Sequence, residues 1–359
     1  MQSNNIKLIN EFIENCSDFW DEKSSDIDKK HINIITEFNK IYKNKINKFS
    51  KDIIDWSKHS DNGCPFQISN YHLKKYSTAE LLYKLLREIY KYITNNRFDK
   101  NAFFDDISIV RKTKAYNLLK EFPAHSSDLR KDVYFIEKNI SANYRWLRYI
   151  YISNTILKNK LINDGNTWVD VGSFYGGIQG IVKTKIPNIS LVLVDFNHQL
   201  CRSYVYLKNL FPYSNHILPD KISDRKQLNN VEKDSILYVK VNDFNKIKNI
   251  KTDLLTNFFS FGEMKRESFK NYYESNLLNN SKYIYLINRV VSSPFFEKTY
   301  DTDLNIFDYT INEFDKIYFD IFPMHHYFNF KRNIFGRNIK RPASSPYFEL
   351  ILKNNKLKN

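Results

Sequence analysis

Asp170, Gly172, Gly176, Gly177 and Gly180 lie within the run WVDVGSFYGGIQG, in a chain with only 8 glycines among 359 residues. Glycine supplies backbone for a tight bend and for close approach to a ligand. The spacing G-x-x-x-G-G is neither the dinucleotide fingerprint G-x-G-x-x-G nor a phosphate loop ending in Gly-Lys-Ser/Thr. A carboxylate two residues before the first glycine would repel a diphosphate and could meet a cation, so the run suits a ligand bearing an ammonium or sulfonium and no phosphate. A second acid, Asp195, closes SLVLVDF 25 residues further on. Near the C-terminus, FPMHHYFNFKRNIFGRNIKRP gathers His325 and His326 with five lysines and arginines. A histidine there could serve as general base, and the cations could bind phosphate. Adjacent histidines point to opposite sides of a strand, so no metal site is expected from them.

These residues need a scaffold. From the start to about residue 140 the apolar period is helical: Ile9, Phe12, Ile13 and Cys16 share a face, as do Ile35, Phe38, Ile41, Tyr42 and Ile46. Ser77-x-x-Glu80 reads as a capping box opening a helix with a leucine and isoleucine stripe, and DNGCPFQISNYH, residues 61 to 72, reads as a loop. Beyond a Ser141-led helix the pattern changes to short apolar runs with helix-length connections: TWVDV, SLVLVDF, SILYVKV, DLLTNFF, YIYLINRV, KIYFDIF and YFELILK. Continuous apolar strands of this kind belong to a mostly parallel sheet covered on both faces. The expected fold is α/β, a Rossmann-like doubly wound sheet of about seven strands over 141–359, preceded by an α-helical domain over 1–140. Residues 212 to 234 read as an insertion. The glycines fall at the first strand-to-helix turn, the usual ligand contact in such a sheet, and an acid ending the second strand, here Asp195, typically holds the two hydroxyls of a ribose.

S-adenosylmethionine is a ligand with an ammonium, a sulfonium and no phosphate. The run resembles the first motif of class I S-adenosylmethionine-dependent methyltransferases, acidic-x-Gly-x-Gly-x-Gly, with Phe174 at the middle glycine. A Phe is not expected to supply glycine's backbone freedom there. More specifically, D-V-G-S-F-Y-G-G is similar to the E-I-G-G-G-Y-G-G form of a family of bacterial sugar O-methyltransferases. The run N-x-x-S-F-G-E-M at residues 257 to 264 resembles the same family, as does the Arg- and Tyr-rich helix NYRWLRYIYI. The resemblance covers about residues 140 to 359. It implies a cofactor site of Asp170, Gly172, Ser173, Phe174, Tyr175, Gly176, Asp195, Asp243 and Asn257, with Asp243 near the adenine. It implies a catalytic group among His325, His326 and Glu263. The acceptor would be a hydroxyl of a sugar, nucleotide sugar or glycan, in surface polysaccharide (capsule or lipopolysaccharide) assembly.

A net charge of +15 favours anionic partners or an acidic membrane surface, although the lysines are spread along the chain as in a solvated face. Cys16, Cys64 and Cys201 are too few and too far apart for a disulfide framework or zinc cluster, and no apolar run reaches membrane-spanning length. The expectation is a cytoplasmic enzyme with room for peripheral membrane contact. Two alternatives stand beside it. One is a nucleic-acid methyltransferase, for which Asn257-Phe258-Phe259-Ser260 lacks the prolines of Asn/Asp-Pro-Pro-aromatic, so no nucleic-acid partner is expected. The other is a noncatalytic Rossmann-like scaffold.

Overall fold

The computed structural model describes residues 2–22, 29–54, 103–123, 134–137, 140–292, 304–311, 313–324, 330–332, 338–340 and 345–357. The capping box at Ser77 and the loop at 61 to 72 lie outside them. The chain divides into two units, one of residues 1–32, 155–322 and 342–359, the other of residues 33–154 and 323–341.

The first unit is built on an eight-stranded sheet. Its strands are β1 (Thr167–Val171), β2 (Ser190–Asp195), β3 (Asn215–Ile217), β4 (Ser235–Lys240), β5 (Thr252–Phe258), β6 (Ser281–Arg289), β7 (Phe314–Ile321) and β8 (Tyr347–Asn354). Their order across the sheet is β3-β4-β2-β1-β5-β6-β8-β7. The strands from β3 to β6 are parallel, and β8 runs antiparallel to both β6 and β7. All seven predicted runs are strands, and the stretch read as an insertion adds β3 at the edge. Every residue of β2 and β4 is buried, as a sheet covered on both faces requires. One face packs Val171, Val194 and Leu255 under Phe261, Phe269 and Tyr309.

Helices α1 (Gln2–Glu14), α2 (Gly177–Lys185), α3 (Asn197–Leu210) and α4 (Arg266–Tyr273) accompany the sheet. The units are not cut at residue 140. Phe12 of α1 sets its ring 5.7 Å from Tyr204 of α3 and 6.1 Å from Tyr238 of β4, and Asn209 bonds Asn5 at 2.9 Å. The apolar stripe read from Ile9, Phe12 and Cys16 therefore covers the sheet unit, which takes in residues 1–32.

The second unit is mainly helical over its described residues. Phe38, Tyr42 and Phe49 form a ring cluster with centroids 5.1 to 5.5 Å apart, Phe103 meets Tyr144 edge-on at 5.6 Å, and Trp146 donates to the Phe122 carbonyl at 2.7 Å. No helix among the described residues is long and apolar enough to cross a membrane.

Candidate functional site

In the first unit, β1 leads through α2 to β2 on one side, while β5 lies on the other. The carboxyl ends of β1 and β5 therefore form the topological switch point, where open α/β sheets bind ligands. The turn after β1 has left-handed backbone at alternate residues: φ is 83° at Gly172, 54° at Phe174 and 82° at Gly176. Gly172 donates its N–H to Val194 at 2.8 Å, tying the bend to β2. A Cβ on Gly172 would overlap the Ser260 hydroxyl and stand 2.8 Å from the Ser260 Cβ, so space as well as φ demands glycine. Gly176 caps α2, and a Cβ on Gly180 would come within 2.8 Å of the Tyr206 ring, which brings α2 close against α3.

Phe174 corrects the expectation drawn from its side chain. It adopts the left-handed backbone of the missing middle glycine, at a cost of about 1–2 kcal/mol for a bulky residue. Its surroundings offset that strain. The Phe174 N–H donates to Asp195 Oδ2 at 2.8 Å, its carbonyl accepts from Ser203 Oγ at 2.6 Å, and the Arg202 guanidinium lies 4.6 Å from its ring. Tyr175, also predicted for the site, is buried, with its ring 5.2 Å from both Phe174 and Tyr206. Ser173 is buried, and its Oγ has no hydrogen-bond partner among the described residues.

Asp195 stands at the end of β2 beside this turn. Its Oδ1 accepts from Phe196 N–H at 2.8 Å, as Oδ2 does from Phe174. Segment 16–22 runs along the ends of β2 and β4. Asn197, the first residue of α3, donates its N–H to both Glu22 oxygens at 3.1 and 3.2 Å, while Asp18 takes Lys240 Nζ at 3.0 Å. Burial, then the charges of Asp18 and Asp195, push the Glu22 carboxyl up to about 8 against the Asn197 bond. Sequence reasoning gave this segment no site role, because only the fold brings residue 22 beside residue 197.

Asp170 is placed differently from the cation contact predicted for it. It is 2% exposed, beneath the turn, and accepts from Thr256 Oγ1 at 2.5 Å and from Gln179 Nε2. Thr256 in turn accepts from Trp168 Nε1 at 2.7 Å. The carboxyl thus stitches β1 to β5 and α2. Burial pushes it up to about 7, outweighing the two hydrogen bonds. In the unfolded chain it would titrate near about 4. The folded protein therefore holds a proton that the unfolded chain releases between those values, and the stability this contributes below about pH 4 is lost as pH rises to about 7. Asp170→Asn should flatten unfolding free energy across that window in denaturant titrations at stepped pH. An unchanged slope would assign the pH dependence to another group.

Asn257 is likewise buried and fully engaged. Its Nδ2 donates to the Val171 carbonyl at 2.6 Å and to Ser260 Oγ at 2.8 Å, and its Oδ1 accepts from Phe261 N–H at 2.9 Å and Asn288 Nδ2 at 3.0 Å. It holds the loop after β5 against the turn after β1. Asp243, expected near the adenine, accepts from Ser223 Oγ at 2.6 Å and pairs with Lys246 at 3.2 Å and Lys240 at 3.7 Å. Glu263 is half-buried and pairs with Arg289 at 3.4 Å. His325 and His326 lie outside the described residues. Phe259, at φ 68°, is a second strained aromatic at the switch point, with its ring 5.2 Å from Tyr347. Its only sequence signal was its place one residue after β5.

The donors at the turn fit S-adenosylmethionine. Asp195 places a carboxylate against the turn, and the buried Ser173 hydroxyl has no hydrogen-bond partner among the described residues. The Gly172 bend leaves no room for a side chain between the turn and the β5 loop.

No protein-family model and no curated protein matches the chain. Among solved structures, TehB from Haemophilus influenzae is 11% identical over 60% of this chain and 68% of its own, with a TM-score of 0.37. PH1948 from Pyrococcus horikoshii, described as a candidate RNA methyltransferase, is 12% identical over 69% and 98%, with a TM-score of 0.36. TrmK from M. capricolum, solved with S-adenosylhomocysteine, is 10% identical over 58% and 68%, with a TM-score of 0.31. The parallel order β4-β2-β1-β5-β6 ending in the antiparallel β8, with the alternating left-handed turn after β1, gives this chain a Rossmann-like α/β fold.

Proposed function

We propose that the chain is an S-adenosylmethionine-dependent methyltransferase. The observation that carries this is the turn at Gly172, Phe174 and Gly176, held in left-handed backbone with Asp195 bonded to it. The cofactor, when bound, supplies an electrophilic methyl group. Asp195 would hold its ribose hydroxyls, and the turn would receive the methionine portion. Asn257 positions the β5 loop against the turn, so that an acceptor on that loop is aligned for in-line displacement. A hydroxyl acceptor needs a base, a role for which His325, His326 and Glu263 remain our candidates.

Two acceptor classes are supported by separate observations. A nucleic acid suits the net charge of +15. A sugar hydroxyl, in a nucleotide sugar or glycan, rests on the resemblance of residues 257 to 264. With both ends of its amide engaged, Asn257 is not available to grip the amine of a flipped base, which favours a hydroxyl in either class.

Titration calorimetry with S-adenosylmethionine is the direct test. Wild type should bind saturably. Asp195→Asn keeps a side-chain acceptor for one backbone N–H and removes the charge, and should weaken binding about tenfold or more. Heat signals absent at millimolar cofactor would overturn the reading. Incubation with labelled cofactor and either RNA or nucleotide sugars, read by mass spectrometry, separates the acceptors.

A further inference from the structure

We propose that Arg289 and Tyr347 form an anion subsite for a phosphate group of the methyl acceptor, with Glu263 as the internal counter-charge that the phosphate displaces. This rests on the methyltransferase reading above. Arg289 ends β6, and Tyr347, the first residue of β8, is its antiparallel register partner. Arg289 Nε donates to the Tyr347 hydroxyl at 3.2 Å, and Nη2 donates to Glu263 Oε1 at 3.4 Å. Neither contact reaches the roughly 2.7–2.9 Å of a full charge-assisted hydrogen bond. Nη1 is buried and has no hydrogen-bond partner among the described residues. The Arg289 side chain is only 20% exposed. A guanidinium so far withdrawn from water normally has its donors filled, and this one is under-satisfied. Its planar fork matches the oxygens of a phosphate.

The setting places the subsite on the acceptor side. Asp195 and the glycine turn lie with β1 and β2, whereas Arg289 closes β6 beyond β5. Between them stands Phe259, in strained backbone, with its ring against Tyr347. The Ser-Phe-Gly-Glu run gains a physical role here. Gly262 donates its N–H to Asn288 Oδ1 at 3.2 Å, and a Cβ on it would stand 3.5 Å from the Arg289 backbone nitrogen. The run therefore brings Glu263 up to Arg289. Glu263 is 36% exposed and holds Arg289 by one long contact, so water can take its place when an anion arrives.

The test measures binding of inorganic pyrophosphate to the full chain as wild type, Arg289→Gln and Glu263→Gln, with thermal unfolding to establish folding. Arg289→Gln should weaken pyrophosphate binding about tenfold or more, as the loss of charge-assisted bonds implies. Glu263→Gln should tighten it, because a competing carboxylate is gone. Cofactor binding by Arg289→Gln should equal wild type. Wild type that ignores pyrophosphate, equal affinity in Arg289→Gln, or weaker binding in Glu263→Gln would each overturn the proposal. The opposite signs of the two variants keep the test decisive if one folds poorly. A nucleoside-diphosphate sugar and a short single-stranded RNA then compete with pyrophosphate. The one that displaces it identifies the phosphate source, and displacement by neither counts against the subsite. If the pyrophosphate pattern holds while S-adenosylmethionine fails to bind, only the methyltransferase reading falls.

Discussion

Gly172→Ala is expected to destabilise the sheet unit by about 2–4 kcal/mol and to lower cofactor affinity more than tenfold. About 1–2 kcal/mol comes from forcing an L-residue into left-handed backbone, and the rest from overpacking against Ser260. Gly165 provides the control. It has a similar φ of 75°, yet a Cβ there would meet only Lys233 Cε, at 4.0 Å. Gly165→Ala should therefore cost only the backbone strain and leave cofactor binding unchanged. Thermal unfolding and calorimetry on the two variants separate φ from overlap. Adding Ser260→Gly to Gly172→Ala should recover the overlap portion. Equal losses in both alanine variants, with no recovery, would remove Ser260 from the explanation.

Asn257→Ala should be about as damaging, at about 3–5 kcal/mol, because it strands buried polar groups at once. The Val171 carbonyl, the Phe261 N–H and the Asn288 amide all lose a partner. Asn257→Asp discriminates between shape and donation. It keeps the size and the acceptor toward Phe261, but turns an oxygen toward the Val171 carbonyl where an N–H had been. If donation matters, Asp should be no better than Ala in chemical denaturation. A near-native Asp variant would show that packing alone holds the loop.

Much of the scaffold is legible in the sequence. Apolar runs inside strands of 5 to 9 residues mark β1, β2, β4 and β6, since a strand buried on both faces has little choice of residue. The turn after β1 was equally visible, because glycine concentrates where backbone must bend and pack closely. β3 escaped because its three residues, Asn215, His216 and Ile217, carry no apolar run, and its place comes from pairing with β4. The N-terminal helix announced its apolar stripe but not its destination. A stripe says that a face is buried and leaves open what buries it.

Side-chain roles divide along the same line. The sequence by itself determined that Asp170, Asp195 and Asn257 stand at strand ends around one turn, because residue type and strand period set those positions. Only the tertiary structure decided what each of them bonds. Asp170 and Asn257 turn inward onto Thr256, Gln179, Val171 and Phe261, while Asp195 accepts from the backbone N–H of Phe174 in the glycine turn and of Phe196. Pairings such as Glu263 with Arg289 or Glu22 with Asn197 join residues from 26 to 175 positions apart. Phe174 shows the same limit in one residue: its type argued against the left-handed bend, and contacts from Asp195, Ser203 and Arg202 hold it there. Local propensity is a matter of about one kcal/mol per residue, and several tertiary contacts acting together outweigh it.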